Sequence, residues 1–515
     1  VKTLRLLVPA VLAVSAVVPS VAQTSGQNGP VAEKYKADAD KIIAAAMKDT
    51  EGYETLAYLT DHIGKRLSGS DSLLKALSWG EETMKKAGFQ NVSIQEAKVP
   101  HWVRGQEEAS IVAPFSKPLH MLGLGMSVGT PTEGITAPVI FIPDLAALAN
   151  TPEDQIKGKI VVFNPGWHGY GLGSIHRTTG PSRAAAKGAV AVLVRSATGL
   201  AMQTPHTGTL TYLPDMPKVP AAAITVEDAL LLERLAKEGP VQVHLKMEAH
   251  MEADQKAGNV VGEIPGSEHP EQVVVLGGHI DSWDVGQGAM DDGGGIISCF
   301  EAVNLIHKLG LKPKRTIRVV FWVNEENGGA GGRAYRDALG DKVKNHVAAI
   351  ESDGGVERPV GIGYTVMGGG PASGSAARRQ AGASANPAAA MAAMAAMGGG
   401  AQRALDESKL TPEEKKSWDT IKQIASLLQP IGADSASPAG GGSDIGPIVA
   451  AGVPSLSPRT VGEHYFDWHH TEADTLDKVD PEDFRKNIAL LGVLSYVLAD
   501  MDGQLVGHTS AAPVE

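Results

Sequence analysis

GHIDSWDVGQGAMDDGGG, Gly278 to Gly295, places one imidazole, His279, and four carboxylates, Asp281, Asp284, Asp291 and Asp292, within eighteen positions. It follows directly on the apolar run Val273 to Leu276, so the acidic cluster begins where a buried strand ends. An unbroken aliphatic run of this kind suits a parallel strand covered on both faces. Downstream, GGGIISCFEAVNLIHKLG sets Ile296, Phe300 and Val303 on one helical face. TIRVVFWV then reads as a strand, GGRAYRDALGDKV as a helix and NHVAAIESD as a third strand. This alternation predicts an α/β fold, with a mixed, mostly parallel central sheet flanked by helices.

The carboxyl ends of strands in such sheets form a binding crevice, so residues just past each strand converge. His279 and Asp281 follow the first strand, and Asp291 and Asp292 precede the next helix. Glu325 and Glu326 follow the second strand, Asp353 follows the third, and HHTEADT near the C-terminus adds His469 and His470. A His and carboxylate set without thiols suits Zn²⁺, with Co²⁺ or Mn²⁺ as substitutes. Two cations sharing a carboxylate roughly 3.5 to 4 Å apart activate a water and clamp a developing oxyanion. The two-residue spacing lets Asp281 accept a hydrogen bond from the far ring nitrogen of His279. One glutamate of the Glu325–Glu326 pair binds metal while its neighbour takes the proton, and spacing alone leaves open which. Taken singly, an Asp-Asp-Gly is usually a turn and a Glu pair a solvated face. Their order at the ends of successive strands outweighs those readings.

At 515 residues the chain exceeds one ordinary core. Residues 31–88 carry helical spacing, and NVSIQEAKVPHW follows as a strand. Between about 130 and 250, strand-like APVIFIP, GKIVVFNPG and VAVLV alternate with helical SRAAAKGA and VEDALLLERLAKEG. This unit holds no cluster of His and carboxylates, so it reads as an inserted domain that covers or shapes a site. Residues 368–403 are Ala/Gly-rich and low in complexity, a surface insertion in which Met391, Met394 and Met397 recur. Asp480 and Pro481 read as the N-cap and first residue of a final helix.

Residues 1–22 read as an export signal: Lys2 and Arg5, an apolar stretch, then Ser20 and Ala22. Pro9 and Pro19 interrupt the stretch and no basic flank follows, which argues against a stable membrane anchor. A periplasmic or extracellular location is therefore expected. The net charge of −12 offers no basic field for nucleic acid. Cys299 is the only cysteine, so no intrachain disulfide or thiolate metal site forms, and its setting IISCFEAV reads as core. GMSVG, Gly125 to Gly129, matches a serine-hydrolase pattern but lacks the strand before and helix after Ser127 that the chemistry needs. GYGLGS, Gly169 to Ser174, lacks a phosphate-loop lysine and reads as a loop.

GHIDSWDVGQGAMDDGGG, FWVNEENGGAGG, ESDGG and HHTEADT resemble, in order, the motifs of the co-catalytic zinc exopeptidases, which include bacterial leucyl aminopeptidases and glutamate carboxypeptidases. With NVVGEIPG they are most similar to the plasma glutamate carboxypeptidase (carboxypeptidase Q) branch. The resemblance is most specific in residues 258–355 and thins across the low-complexity stretch. It implies the phosphorylase/hydrolase-like zinc exopeptidase fold with an inserted protease-associated domain. The implied organisation is a signal at 1–22, peptidase domain at 23–125, insertion at 126–252 and peptidase domain again at 253–515.

It also implies two Zn²⁺ bridged by Asp291, with His279 and Asp353 completing one site and Glu326 and His470 the other. Glu325 becomes the general base and Asp281 the residue orienting His279. His470 takes precedence over His469 because it immediately precedes the threonine of the HTxxDT pattern. Ser443, Asp444, His464 and Tyr465 fall in the stretch that resembles the family's substrate side. The expected activity is hydrolysis of dipeptides or short peptides by a metal-activated water. An aminopeptidase of longer peptides and a non-catalytic peptide-binding module are the alternatives. Peptide is the expected partner, and the sequence is compatible with a homodimer.

Overall fold

The protein is described here by a computed structural model covering residues 29–366 and 405–508. The export-signal residues and the 368–403 stretch, with its methionines, lie outside the described residues.

An eight-stranded mixed sheet forms the frame, in the order 90–103, 250–264, 315–322, 269–279, 346–351, 455–460, 359–364, 435–437. Its centre is parallel: His269–His279 pairs with Arg315–Trp322 on one side and His346–Glu351 on the other, and the latter pairs with Ser455–Thr460. The Val273 to Leu276 run is buried on both faces, as its composition dictates. Val274 and Leu276 join one core cluster, with the helices Pro30–Ala46, Gly294–Lys308 and Pro481–Asp500. Val273 and Val275 join the opposite cluster with Tyr335 and Ile448. Asp480 caps the last helix by accepting the N–H groups of Glu482 and Asp483, and Cys299 is buried with a free thiol.

A second eight-stranded sheet is formed by strands between Glu107 and Met247. Three of them, Glu107–Ala113, Lys117–Leu119 and Met121–Gly123, precede residue 126, where the sequence places the insertion. Glu107–Ala113 pairs with Gln242–Met247 and Met121–Gly123 with Ala221–Ile224, contacts about a hundred residues or more away that local periodicity does not encode, while Lys117–Leu119 pairs with the neighbouring Glu107–Ala113. Trp283, from the acidic loop of the first sheet, is buried in the core of the second. Arg104 ties the two together, donating to both Asp284 carboxylate oxygens at 2.6 and 2.7 Å and to the Gly123 carbonyl at 2.6 Å. No helix among the described residues is long and apolar enough to cross a membrane.

Ser127 is buried within the inserted unit, where its hydroxyl donates to Val128 O and accepts from Ala221 N. It does not line the cleft described below. GYGLGS does not remain a loop. It opens the helix Tyr170–Thr178, whose glycines carry little helical propensity, Gly173 facing Ala197 just past the end of the strand Ala191–Arg195.

Candidate metal centre

His279 ends its strand, and the next turn, Ala289–Gly293, brings Asp291 back over it. His279 Nε2 lies 3.2 Å from Asp291 Oδ1 and 3.4 Å from Asp353 Oδ1. His470 Nε2 lies 3.3 Å from Asp291 Oδ2 and 3.1 Å from Glu326 Oε2. The two oxygens of Asp291 thus face two separate donor sets. A tetrahedral cation bound at about 2.0 to 2.2 Å spaces its ligand atoms roughly 3.3 to 3.6 Å apart, close to these separations.

Two further groups lie near. Asp292 is within reach of the His279 and Asp353 donors. Its Oδ2 accepts the His279 N–H at 3.0 Å and so fastens the loop, while its Oδ1 is buried without a hydrogen-bond partner. A Cβ at Gly278 or Gly295 would collide with this carboxylate, which is why glycine stands at both positions. His469 Nε2 lies 3.4 Å from Asp291 Oδ2, and its ring stacks on His470 with centroids 3.5 Å apart. Only His470 touches both Asp291 and Glu326, so geometry favours it as the donor of that set. Its φ of 64° and that of Asn324, 66°, lie in the left-handed region, unusual backbone beside the candidate donors His470 and Glu326.

Electrostatics favour a cation. Burial and the nearby Asp291 push Glu326 up to about 8, while burial, opposed by His279, leaves Asp353 at about 6. Burial opposes charge on Asp291 as well, but His469, His279 and His470 hold it well below the usual carboxylate range. Glu326 Oε1 is buried without a hydrogen-bond partner. An unsatisfied buried carboxylate oxygen costs stability unless something positive meets it. Histidine nitrogens and carboxylate oxygens, with no thiolate, match zinc.

The sequence-based role of Asp281 changes. His279 Nδ1 is 2.9 Å from the backbone carbonyl of Asp281 and 3.9 Å from its carboxylate. The carboxylate instead accepts the N–H groups of Glu325 and Glu326, at 3.1 and 3.3 Å, because the neighbouring parallel strand ends there. Asp281 therefore fixes the tautomer of His279 through its main chain and positions the glutamate pair through its side chain.

Asp291, Glu325, Glu326, Asp353 and His470 line one cleft of about 360 Å³. Ser443 and Tyr465 line it too, whereas His464 and Asp444 do not. The His464 side chain is 59% exposed and pairs with Asp467, three positions on along a surface turn. Asp444 is buried behind the cleft, both oxygens unpartnered, and burial with the adjacent Glu351 holds it well above the usual carboxylate range. The inserted unit contributes Tyr170, Ser174, Arg177, Thr178 and Thr209 to the walls; the first two fall in GYGLGS, which the sequence offers only as a loop, and no sequence signal marks the others. Arg177 is buried beside His470, its Nη2 3.5 Å from His470 Nδ1, and Tyr170 stacks on Phe466 with centroids 4.7 Å apart.

The sequence profile of peptidase family M28 matches residues 259–494. Carboxypeptidase Q of Xenopus laevis is 39% identical over 475 residues, 92% of this chain and 91% of that protein. The structure of a peptidase M28 precursor from Shewanella amazonensis is similar with a TM-score of 0.80 at 29% identity, covering 92% of this chain and 98% of that one. A zinc aminopeptidase from Bacillus subtilis, 20% identical over 88% of this chain and 95% of its own, shares the fold with a TM-score of 0.60. From near-full-length relatives and a ligand set gathered at the strand ends, the chain belongs to peptidase family M28, as a zinc metallopeptidase.

Proposed function

We propose that the protein is an exported dinuclear zinc exopeptidase that hydrolyses dipeptides or short peptides. The observation that carries this is the division of Asp291 between two donor sets at the floor of one small cleft. One zinc would be held by His279, Asp353 and Asp291, and the other by Glu326, His470 and Asp291. When bound, such a pair supplies Lewis acidity and a water of lowered pKa.

The chain's own groups do the rest. Glu325, held in place by its N–H to Asp281, takes a proton from the attacking water and passes it to the leaving amine. Tyr465, buried against Asp291 and Asp353 and kept protonated by that burial, offers a phenol at the wall. The inserted unit narrows the cleft, its Tyr170 stacking on Phe466 of the peptidase part. The name of the curated relatives, carboxypeptidase, supports action at a peptide end, and the signal-like residues 1–22 support export.

Metal analysis of the purified protein, paired with hydrolysis of a free dipeptide, an N-blocked dipeptide and a long peptide, tests this. The expected result is about two metals per chain, with dipeptide hydrolysis abolished by chelation and restored by zinc. Preference for the long peptide would sink the dipeptide reading, and no hydrolysis with both metals bound would sink the catalytic one.

A further inference from the structure

The metal centre faces a cleft whose other walls carry two arginines, Arg177 from the inserted unit and Arg459 from the strand Ser455–Thr460. Neither has a carboxylate partner among the described residues. Arg177 is nonetheless engaged: Nη1 donates to the Thr207 carbonyl at 2.9 Å, and Nη2 donates to the Tyr170 hydroxyl. The guanidinium of Arg459 makes no ion pair and no hydrogen bond among the described residues. It is half-buried, in a run from Pro458 to Gly462 that lines the cleft throughout.

At the cleft wall the Arg459 guanidinium stands without a counter-ion among the described residues, open to an anionic partner. Its planar fork matches a carboxylate in bidentate fashion. The space is small as well. A compact 360 Å³ is roughly 9 Å across, and two extended residues span about 7 Å. A peptide seated with its scissile carbonyl over Asp291 therefore brings its next carboxylate to the wall, not out into solvent.

We infer that Arg459 reads a carboxylate of the peptide substrate, the free C-terminal carboxylate of a dipeptide in the first instance, and so sets the length of peptide accepted. This rests on the exopeptidase reading above. Arg459 holds the departing residue by its charged end, and Arg177 adds a fixed positive field without giving up its own partners. A chain continuing past the second residue would present a neutral amide to Arg459 and lose the pair.

The test uses zinc-loaded wild type, Arg459→Gln and Arg459→Lys with alanyl-leucine, alanyl-leucinamide and the α-amide of alanyl-glutamate. Wild type is expected to prefer alanyl-leucine to its amide. Arg459→Gln should lower kcat/KM for alanyl-leucine roughly 10- to 100-fold, mainly through KM, as for a lost charge-assisted hydrogen bond. It should leave alanyl-leucinamide unchanged, and Arg459→Lys should recover part of the loss. A loss confined to the glutamate α-amide would place the carboxylate on a side chain, supporting Arg459 as its reader. Equal loss on all three substrates, or loss on none, overturns the inference.

Protection against thermal unfolding by leucine and by leucinamide gives a reading that needs no turnover. Selective loss of the leucine effect in Arg459→Gln supports the assignment even if no peptide is cleaved, and an unchanged leucine effect counts against it. Wild type that binds two metals and cleaves none of the substrates rejects the exopeptidase reading alone.

Discussion

Glu325 and Glu326 are adjacent in the chain and differ in what they face. Both line the cleft with their amides held by Asp281, and the Glu326 carboxylate is committed to His470 at 3.1 Å. Glu325→Gln keeps the shape and loses the proton acceptor, so kcat should fall about 10²- to 10⁴-fold with metal content unchanged by elemental analysis. The two histidines make a parallel case. His470→Ala should remove one of two metals, while His469→Ala, which loses a contact to Asp291 and its stacking on His470 but none to Glu326, should keep both; equal losses would reject the choice between them. These residues were legible in sequence because their spacing places them at strand ends. Arg177, Tyr170 and Arg459 were not, because an arginine or tyrosine carries no pattern until tertiary contacts set it beside a cleft. His464 misled for the same reason, since one turn of backbone points its ring to solvent and to Asp467.

At the scale of elements, the turn Ala289–Gly293 carries the shared Asp291, and Asp474 fastens it. One Asp474 oxygen accepts the N–H groups of Ala289 and Met290 at 3.1 and 2.7 Å, and the other accepts that of Asp291 at 3.1 Å. Arg66, fully buried, fastens the preceding loop through the carbonyls of Ile280, Gln287 and Gly288. Asp474→Asn replaces an acceptor with a donor facing the same amides, so zinc affinity should drop roughly 10- to 100-fold in competition with a chelator. Unchanged affinity would mean that the turn holds its shape unaided. The strands and long helices of the first sheet follow from periodicity, as Val273 to Leu276 illustrates. The pairings of Glu107–Ala113 with Gln242–Met247 and of Met121–Gly123 with Ala221–Ile224 do not, because the partners are distant, nor does the helix at Tyr170, because its glycines mask the period.

For the molecule as a whole, one pH effect lies far from the cleft. Glu301 is buried under the first sheet, and burial, partly offset by Asn304 and Lys308, raises it from 4.5 to about 7. A carboxyl whose folded value is raised contributes stability that is full below about pH 4.5 and is lost as pH climbs through about 7. A shift of this size is worth about 3 kcal/mol. Urea unfolding at fixed zinc should therefore show a flatter profile between pH 5 and 8 for Glu301→Gln than for wild type. Parallel profiles would show that Lys308 neutralises the group fully.

Where the two sheets meet, the ligand-loop main chain is held from across the seam. Thr207 N donates to the His470 carbonyl at 3.0 Å, His206 Nδ1 lies 2.9 Å from the His469 carbonyl, and burial pushes His206 down to about 3, so the ring is neutral there. The ligand loop thus borrows its conformation from a unit that donates no ligand. Portability is the casualty. The inserted unit cannot be excised or traded for another lineage's version as an interchangeable module, since a graft lacking the Thr207 strap would arrive with His470 unmoored and the centre half built.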